Sequence, residues 1–443
     1  MRLKTFSRGG VHPPENKISA GQAIRELPVP EVVTIPVSQH LGAPAKVLVS
    51  RGDEVVVGQL IASAEGFIST NVHSSVSGKV LKVDQFPDSS GYRRMAVQIQ
   101  VEGDRWMEEI DRSDDVVPHT VLGQEDIRKK ILEAGVVGLG GATFPSHVKL
   151  TVPGGKTAEY LIINGVECEP YLTADHALML ERTGELVAGI EVLMKGLGVE
   201  KAIIGIEHNK PDAIEKLKQQ TAGLPVKVQG LKVKYPQGGE KQLVQALLKR
   251  EVPSGGLPID VGVVVFNVGT AFAAYEAVMK NRPLIDRVVT VTGKSLAKPS
   301  NFLVRIGTPV SHLVEHAGGL PEDTAKVING GPMMGKALSN LDVPVVKGSS
   351  GIVLIREEEA TREEVKPCIR CARCVGVCPM GLEPYLLMTL SEKEQFERIE
   401  NEKVLDCIEC GSCSYTCPSA RPLLDYIRLG KTEVGKIIRA RRN

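Results

Sequence analysis

Aromatic residues are scarce in this chain of 443 residues: one Trp, eight Tyr and eight Phe make up 4%. The formal net charge is only +1 and charged residues are 24%, so no basic footprint for nucleic acid stands out. Long apolar runs are missing too. The longest, Val261 to Phe266, is far too short for a bilayer, so the chain is expected to have no transmembrane segment of its own. Any membrane association must then come through a partner. Residues Met1 to Gly10 carry two basic residues in the first four positions but no apolar stretch, which excludes a signal peptide. A disulfide framework is not expected either. Of nine cysteines eight fall in two motifs and only Cys168 is left over, a usage that belongs to a reducing cytosol. The length leaves room for about three or four domains.

What is present is a cysteine pattern written twice. Cys368-x2-Cys371-x2-Cys374-x3-Cys378-Pro379 is followed, after a helical segment at Pro384 to Lys403, by Cys407-x2-Cys410-x2-Cys413-x3-Cys417-Pro418. This is the spacing of bacterial ferredoxin-type [4Fe-4S] sites. Three thiolates at i, i+3 and i+6 cap three irons of one cubane, and the fourth, beside a proline, ligates the other cluster. Cys368, Cys371, Cys374 and Cys417 are assigned to one cluster; Cys407, Cys410, Cys413 and Cys378 to the second. Structural zinc also takes four thiolates but normally uses two separated C-x2-C pairs.

Upstream, residues 1–30 are rich in Gly and Pro and read as an extended arm, with His12 a turn residue rather than a ligand. Residues 31–110 alternate apolar and polar positions between turns and resemble the lipoyl or biotinyl carrier type of β-sandwich. The tip that would carry a modified lysine reads Ala64-Glu-Gly-Phe-Ile68, so a docking or structural role is expected. Residues 115–280 alternate short apolar runs with amphipathic helices, the pattern of an α/β domain with a largely parallel sheet. Four polar, Gly-containing stretches are placed at its strand ends, where such sheets bind ligands. They are residues 138–149, Asn164 to Pro170, Tyr235 to Lys241 and Asn267 to Thr270. Each alone is a weak signal; together they favour a nucleotide or flavin site. Cys168 has no histidine in its motif and reads as a free thiol. Residues 281–350 form a small α+β module with a helix from Val310 to Ala317, and Met333-Met334 reads as filling of a domain seam. Residues 357–443 hold the cysteine motifs and end in a basic helix.

Over essentially its whole length the chain resembles the C subunit of the Rnf electron-transport complex, from Gly9-Gly-Val-His-Pro13 through the order of domains. Its central domain is similar to the NADH-oxidising flavoprotein of respiratory complex I. The resemblance implies a multidomain α/β and α+β chain: lipoyl-like β-sandwich, Rossmann-like FMN/NADH domain, β-grasp (SLBB-type) module and helical twin-[4Fe-4S] domain. It implies that Gly138, Gly140, Gly141 and Lys149 contact non-covalent FMN, with Gly239, Glu240, Asn267 and Thr270 completing its phosphate and ring contacts. Phe144 would stack on the adenine of NADH, Asn164 and Glu167 would lie beside the flavin, and Glu169 near the nicotinamide ribose. Three positions depart from the complex I pattern: Leu139 replaces an arginine, Val166 an aspartate and Lys241 a glutamate.

The parts make chemical sense together. A nicotinamide exchanges two electrons as hydride and a cubane passes one at a time, so a flavin must lie between them. No general acid or base is required of the protein. The implied function is a peripheral electron-transfer subunit on the cytoplasmic side of the inner membrane, passing electrons between ferredoxin, through other subunits, and NAD(H), coupled to Na+ or H+ export by those subunits. The competing readings are a soluble flavin/iron-sulfur NADH reductase, such as a cobalamin reductase, and a non-catalytic cluster-bearing scaffold.

Overall fold

The computed structural model describes residues 2–442. The first strand, β1 (Ile24–Glu26), belongs to a sheet completed much later in the chain. It is followed by β2 (Val32–Pro36), β3 (Lys46–Val47), β4 (Glu54–Val55), β5 (Leu60–Ser63), β6 (Val72–His73), β7 (Gly78–Pro87) and β8 (Arg93–Val101). These form two sheets, ordered β2-β8-β7-β4 and β3-β5-β6. Period-two alternation points Val33, Ile35, Val80, Val97 and Ile99 inward, where they meet Val55, Ile61 and Val72. The tip at residues 64–68 instead exposes Phe67 and Ile68.

The second body opens with α1 (Gln124–Glu133) and α2 (Ser146–Leu150), with residues 138–145 looped between them. Then come β9 (Tyr160–Asn164), α3 (Ala174–Glu181), α4 (Thr183–Leu197), β10 (Ala202–Glu207), α5 (Pro211–Gln220), β11 (Val226–Leu231), α6 (Glu240–Leu248), β12 (Val263–Asn267) and α7 (Val268–Met279). The sheet is wholly parallel, ordered β11-β10-β9-β12. Both its faces are covered, which explains why β9 and β12 read as unbroken apolar runs. Leu161 and Ile163 pack with Ile190 and Leu193 of α4; Ile162, Val263 and Val265 pack with Leu243 and Leu247 of α6. A Cβ on Gly189 would come within 2.0 Å of the Ala271 carbonyl, so glycine is what lets α4 and α7 touch.

The third body comprises β13 (Asp286–Gly293), β14 (Ser300–Arg305), α8 (Val310–His316), β15 (Thr324–Asn329), β16 (Lys336–Ala337) and β17 (Gly351–Arg356). Its sheet is ordered β1-β14-β13-β17-β15-β16, so the early strand β1 lies parallel to β14 at the edge. Leu27 extends this pairing, donating its N–H to the Leu303 carbonyl and joining the core around Phe302, Leu313 and Ile352.

The last body is helical: α9 (Glu357–Ala360), α10 (Arg373–Gly376), α11 (Pro384–Glu392), α12 (Phe396–Asn401), α13 (Ser412–Tyr415) and α14 (Leu423–Arg442). One helix is expected over Pro384 to Lys403; two are found. Glu394 takes a left-handed φ of 54°, and the Gln395 N–H returns to the Leu390 carbonyl at 2.9 Å. That turn brings the buried Ile399 back onto the core shared with Ile427 and Val434 of α14. Hydrophobic return, not helix propensity, decides the break.

The N-terminal segment is extended, but it is docked along its length. Lys4 pairs with Leu231 and Val11 with Tyr235 at the edge of the second body. Gly10 donates its N–H to the Val377 carbonyl of the last body at 2.8 Å.

Candidate functional site

In the parallel sheet, β9, β10 and β11 are added in one direction and β12 on the other side of β9. The strand order therefore reverses between β9 and β12, the place where open α/β sheets leave a crevice for a ligand. The register sets Asn164, last residue of β9, beside Asn267, last of β12. Asn164 Nδ2 donates to the Gly238 carbonyl at 2.9 Å. Asn267 Oδ1 accepts the Gly269 N–H at 2.8 Å, capping α7, while its Nδ2 donates to Asp175 at 2.6 Å. All four polar stretches are expected at strand ends. Three sit there, after β9, β11 and β12; residues 138–149 lie between α1 and α2 and reach the crevice from the side. No apolar strand precedes that loop, only the single pairing of Val137 with Pro145.

The glycine loop is fastened by backbone. Gly138 N–H donates to the Phe144 carbonyl at 2.9 Å, and Leu139 N–H to the buried Thr270 hydroxyl at 2.9 Å. A Cβ on Gly140 would lie 3.4 Å from that of Asn267. Gly141 has φ of 110° and open space where a side chain would stand. Across the crevice, Lys149 Nζ bonds Glu240 at 2.8 Å and the Val265 carbonyl. Glu240 opens α6, whose N-cap Gly239 supplies no side-chain acceptor, so first-turn amides are left for an anion. Glycine backbone, unfilled helix amides and a lysine are a donor set that fits a flavin phosphate. The structure thus joins Gly138, Gly140, Lys149, Asn164, Gly239, Glu240, Asn267 and Thr270 around one crevice. It does not engage the Phe144 ring with them; Phe144 enters through its carbonyl. A pocket starts at Leu139, Asp175 and Gly269 and runs along α7 to Glu276 and Arg282, without Lys149 or Gly239 in its lining.

Glu167 and Glu169 already carry structural bonds. Glu167, at φ of 46°, accepts the N–H groups of Asp175 and His176 at 2.7 and 3.3 Å, holding the start of α3. Glu169 accepts the Met333 N–H at 3.1 Å and the Tyr235 hydroxyl at 3.3 Å. Burial pushes the carboxyls of Glu169, Asp175 and Glu207 each up to about 7. Burial, with Glu207 nearby, drives the Cys168 thiol far above its usual range, so it is an inert thiol.

Two lysines organise this loop, and nothing in the sequence around them marks either. Lys17 Nζ donates to the carbonyls of Glu167, Glu169 and Leu172 at 2.8, 2.9 and 2.6 Å. Burial lowers its pKa, with Glu167 opposing the shift. Lys210, also buried, donates to the Val166 carbonyl at 2.9 Å. A lysine in a polar arm leaves no local signal that it will close on a loop some 150 residues on.

Tyr235 joins this crevice to the cysteine loops. It is 2% exposed, and its single hydroxyl proton is shared between the Cys410 carbonyl at 2.8 Å and Glu169 at 3.3 Å. Cys378, Cys407, Cys410 and Cys413 line one pocket walled by Leu382, Leu387, Leu424 and Ile427. None of the four is in a disulfide. Burial raises Cys407 to about 11 and Cys413 to about 12, so these two thiolates persist there only if a cation compensates them. Four thiolates also suit zinc, but a C-x2-C-x2-C triple with a fourth cysteine before proline is the spacing of [4Fe-4S] sites. Leu382 N–H points at Cys378 Sγ and Glu409 N–H at Cys407 Sγ, both at 3.4 Å, the kind of bond that tunes a cluster. Cys374 lies within the electrostatic reach of Cys417 and Cys368. Cys368 and Cys371 are exposed. The two motifs are thus interleaved, each fourth cysteine lying with the other motif's set.

Four domain families match in succession: the RnfC barrel sandwich hybrid domain over residues 4–104, the Nuo51 FMN-binding domain over 131–276, the SLBB domain over 288–337 and the 4Fe-4S dicluster domain over 360–418. The C subunit of the proton-translocating ferredoxin:NAD(+) oxidoreductase complex of Clostridium ljungdahlii is 48% identical over 434 residues, 97% of this chain and 94% of that protein. This chain belongs to the RnfC family. Another RnfC relative, the C subunit of the Na(+)-translocating ferredoxin:NAD(+) oxidoreductase complex of Acetobacterium woodii, is 45% identical over 96% of each chain. A chain of the NAD+-reducing [NiFe]-hydrogenase in the H2-reduced state superposes with a TM-score of 0.51 at 19% identity, covering 70% of this RnfC chain and 62% of that one. That likeness is one of fold. Among the described residues no helix is long and apolar enough to cross a membrane.

Proposed function

We propose that this chain is the nucleotide-facing electron-transfer subunit of a ferredoxin:NAD+ oxidoreductase complex, bound peripherally on the cytoplasmic side of its membrane. Its substrates and partners are NAD(H) and the other subunits, through which ferredoxin electrons and Na+ or H+ translocation are coupled. The two relatives belong to complexes named for different ions, protons and Na+. Bound FMN supplies exchange of hydride with a nicotinamide and of single electrons with iron.

The chain's own residues bind and orient. Gly138, Gly140, Gly141, Gly239 and Lys149 hold the flavin with Asn164, Asn267, Glu240 and Thr270, and Glu167 lies beside it; Glu169 lies near the nicotinamide ribose and Phe144 stacks on the adenine. Lys17 and Lys210 keep residues 164–172 in place by clamping their carbonyls. Cys378, Cys407, Cys410 and Cys413 hold the inner cluster; Cys368, Cys371, Cys374 and Cys417 hold the outer one.

One observation carries this reading: Tyr235 touches both the flavin-domain carboxylate Glu169 and the backbone of Cys410, while Cys368 and Cys371 face outward. Electrons then run between the crevice, the inner set, the outer set and a partner. Anaerobic reconstitution should give about eight irons and eight sulfides per chain with one FMN, and NADH should bleach all three groups. Zinc in place of iron, or iron left oxidised by NADH with FMN bound, overturns the proposal.

A further inference from the structure

The β-grasp module carries a side-chain cluster that electron transfer does not use. Helix α8 buries Val310, Leu313 and Val314 in the core. Its other face carries His312, Glu315 and His316, at i, i+3 and i+4, the spacing that stacks side chains on one stripe of a helix. One ligand atom from each of the three lies within 4.8 Å of the others. The imidazole centroids are 4.3 Å apart.

The hydrogen bonds select the tautomers. One ring nitrogen of each histidine meets a backbone carbonyl: His312 Nε2 the Pro28 oxygen at 2.8 Å, His316 Nδ1 the His312 oxygen at 2.9 Å. A carbonyl only accepts, so these nitrogens carry the protons. Nδ1 of His312 and Nε2 of His316 are left as bare lone pairs, with no protein donor among the described residues. Metal-bound histidines are oriented in this way, donating the second ring N–H to a carbonyl or carboxylate. The Glu315 carboxylate, exposed, has no cationic partner among the described residues.

We infer that His312, Glu315 and His316 bind a divalent first-row transition metal on the outside of the β-grasp module. Two neutral imidazoles and one carboxylate suit Zn2+, Ni2+ or Cu2+ and leave positions for water; the nitrogen ligands disfavour Mg2+ and Ca2+. An ion on the other nitrogen of His312 would hold the ring in the orientation that bonds the Pro28 carbonyl at 2.8 Å.

Full-length, cluster-loaded protein is titrated calorimetrically with Zn2+, then with Mg2+. The expected result is one saturable Zn2+ equivalent and no Mg2+ heat. Glu315→Gln should weaken Zn2+ binding by about tenfold and His316→Ala by at least about 100-fold, with cluster absorbance unchanged in both. Glu315 is exposed, so its variant folds and keeps the comparison valid if His316→Ala does not. Zn2+ affinity and stoichiometry unaltered by Glu315→Gln, absence of saturable binding, or competition by Mg2+ overturns the inference.

Discussion

The two cysteine loops share a backbone and differ in almost everything around it. Left-handed residues recur at matching steps: Arg370 and Glu409 both at φ 56°, Ala372 at 57° and Gly411 at 77°, Gly381 at 68° and Ala420 at 48°. Each loop then makes one helical turn, α10 or α13, before its fourth cysteine and proline. In the first loop Cys368 and Cys371 are exposed and no salt bridge reaches Arg370 among the described residues. In the second, Cys410 and Cys413 are buried and Glu409 is held by Arg428 at 3.1 Å and Lys431 at 2.9 Å. Lys431 also donates to the Cys407 carbonyl at 2.7 Å. Local sequence builds the loop; tertiary docking decides which is buried against the flavin domain and which is exposed.

Breaking each loop separately should give the largest contrast. Cys410→Ser should remove about four irons and drop NADH reduction of the remaining iron to background; Cys371→Ser should remove as many but leave the remaining cluster reducible by NADH. Iron analysis with low-temperature EPR reads both, and equal loss in the two variants would erase the inner–outer distinction. Chelator attack is the next contrast. Under an iron chelator the cluster at Cys368 and Cys371 should disappear first, leaving the inner EPR signal, because that loop has the less buried surroundings.

Tyr235→Phe leaves the buried Cys410 carbonyl without its donor and should cost about 1–3 kcal/mol in unfolding, with the inner EPR signal shifted and the outer one unchanged. Asp406 fastens the second loop from outside, accepting from the Ser254 hydroxyl and from the Gly255 N–H at 3.0 Å. Asp406→Ala should cost about 0.5–1.5 kcal/mol and again spare the first loop.

The smallest effect tests a seam far from both loops. Lys347 is fully buried, donates to the Asn71 and Gly135 carbonyls at 2.9 and 2.7 Å, and is lowered by burial to about 7. Its folded value lies below the unfolded one of 10.5, so the folded chain binds fewer protons between them. Its contribution to stability is therefore present at high pH and lost as pH falls through about 7. Melting of Lys347→Met should show a flatter rise between about pH 6.5 and 9 than the parent, with both cluster signals identical.

Much of the site was legible because its chemistry is local. Cysteines three apart before a proline, and polar residues directly after apolar strands, announce themselves without tertiary knowledge. Contacts between distant segments did not. Lys17 and Lys210 look like surface lysines until their carbonyl partners are seen. Tyr235 sits in a stretch that reads as one more glycine turn, yet its value lies in two bonds to other segments. β1 is three residues long and becomes a strand only because β14 offers an edge. The turn at Glu394 was hidden since nothing in a charged run marks a left-handed residue.

The docked N-terminal segment has a consequence for the order of assembly. A Cβ on Gly9 would sit 2.5 Å from the Val377 oxygen, so this glycine is shaped to a surface synthesised long after it. At about 5–20 residues per second the segment waits roughly 20–75 s between its own synthesis and that of its seat. A nascent chain stalled before Val377 can pair Lys4 with Leu231 and Val11 with Tyr235 but lacks the Gly10 bond that ties the strap to the last body, so that final latch closes late in biogenesis.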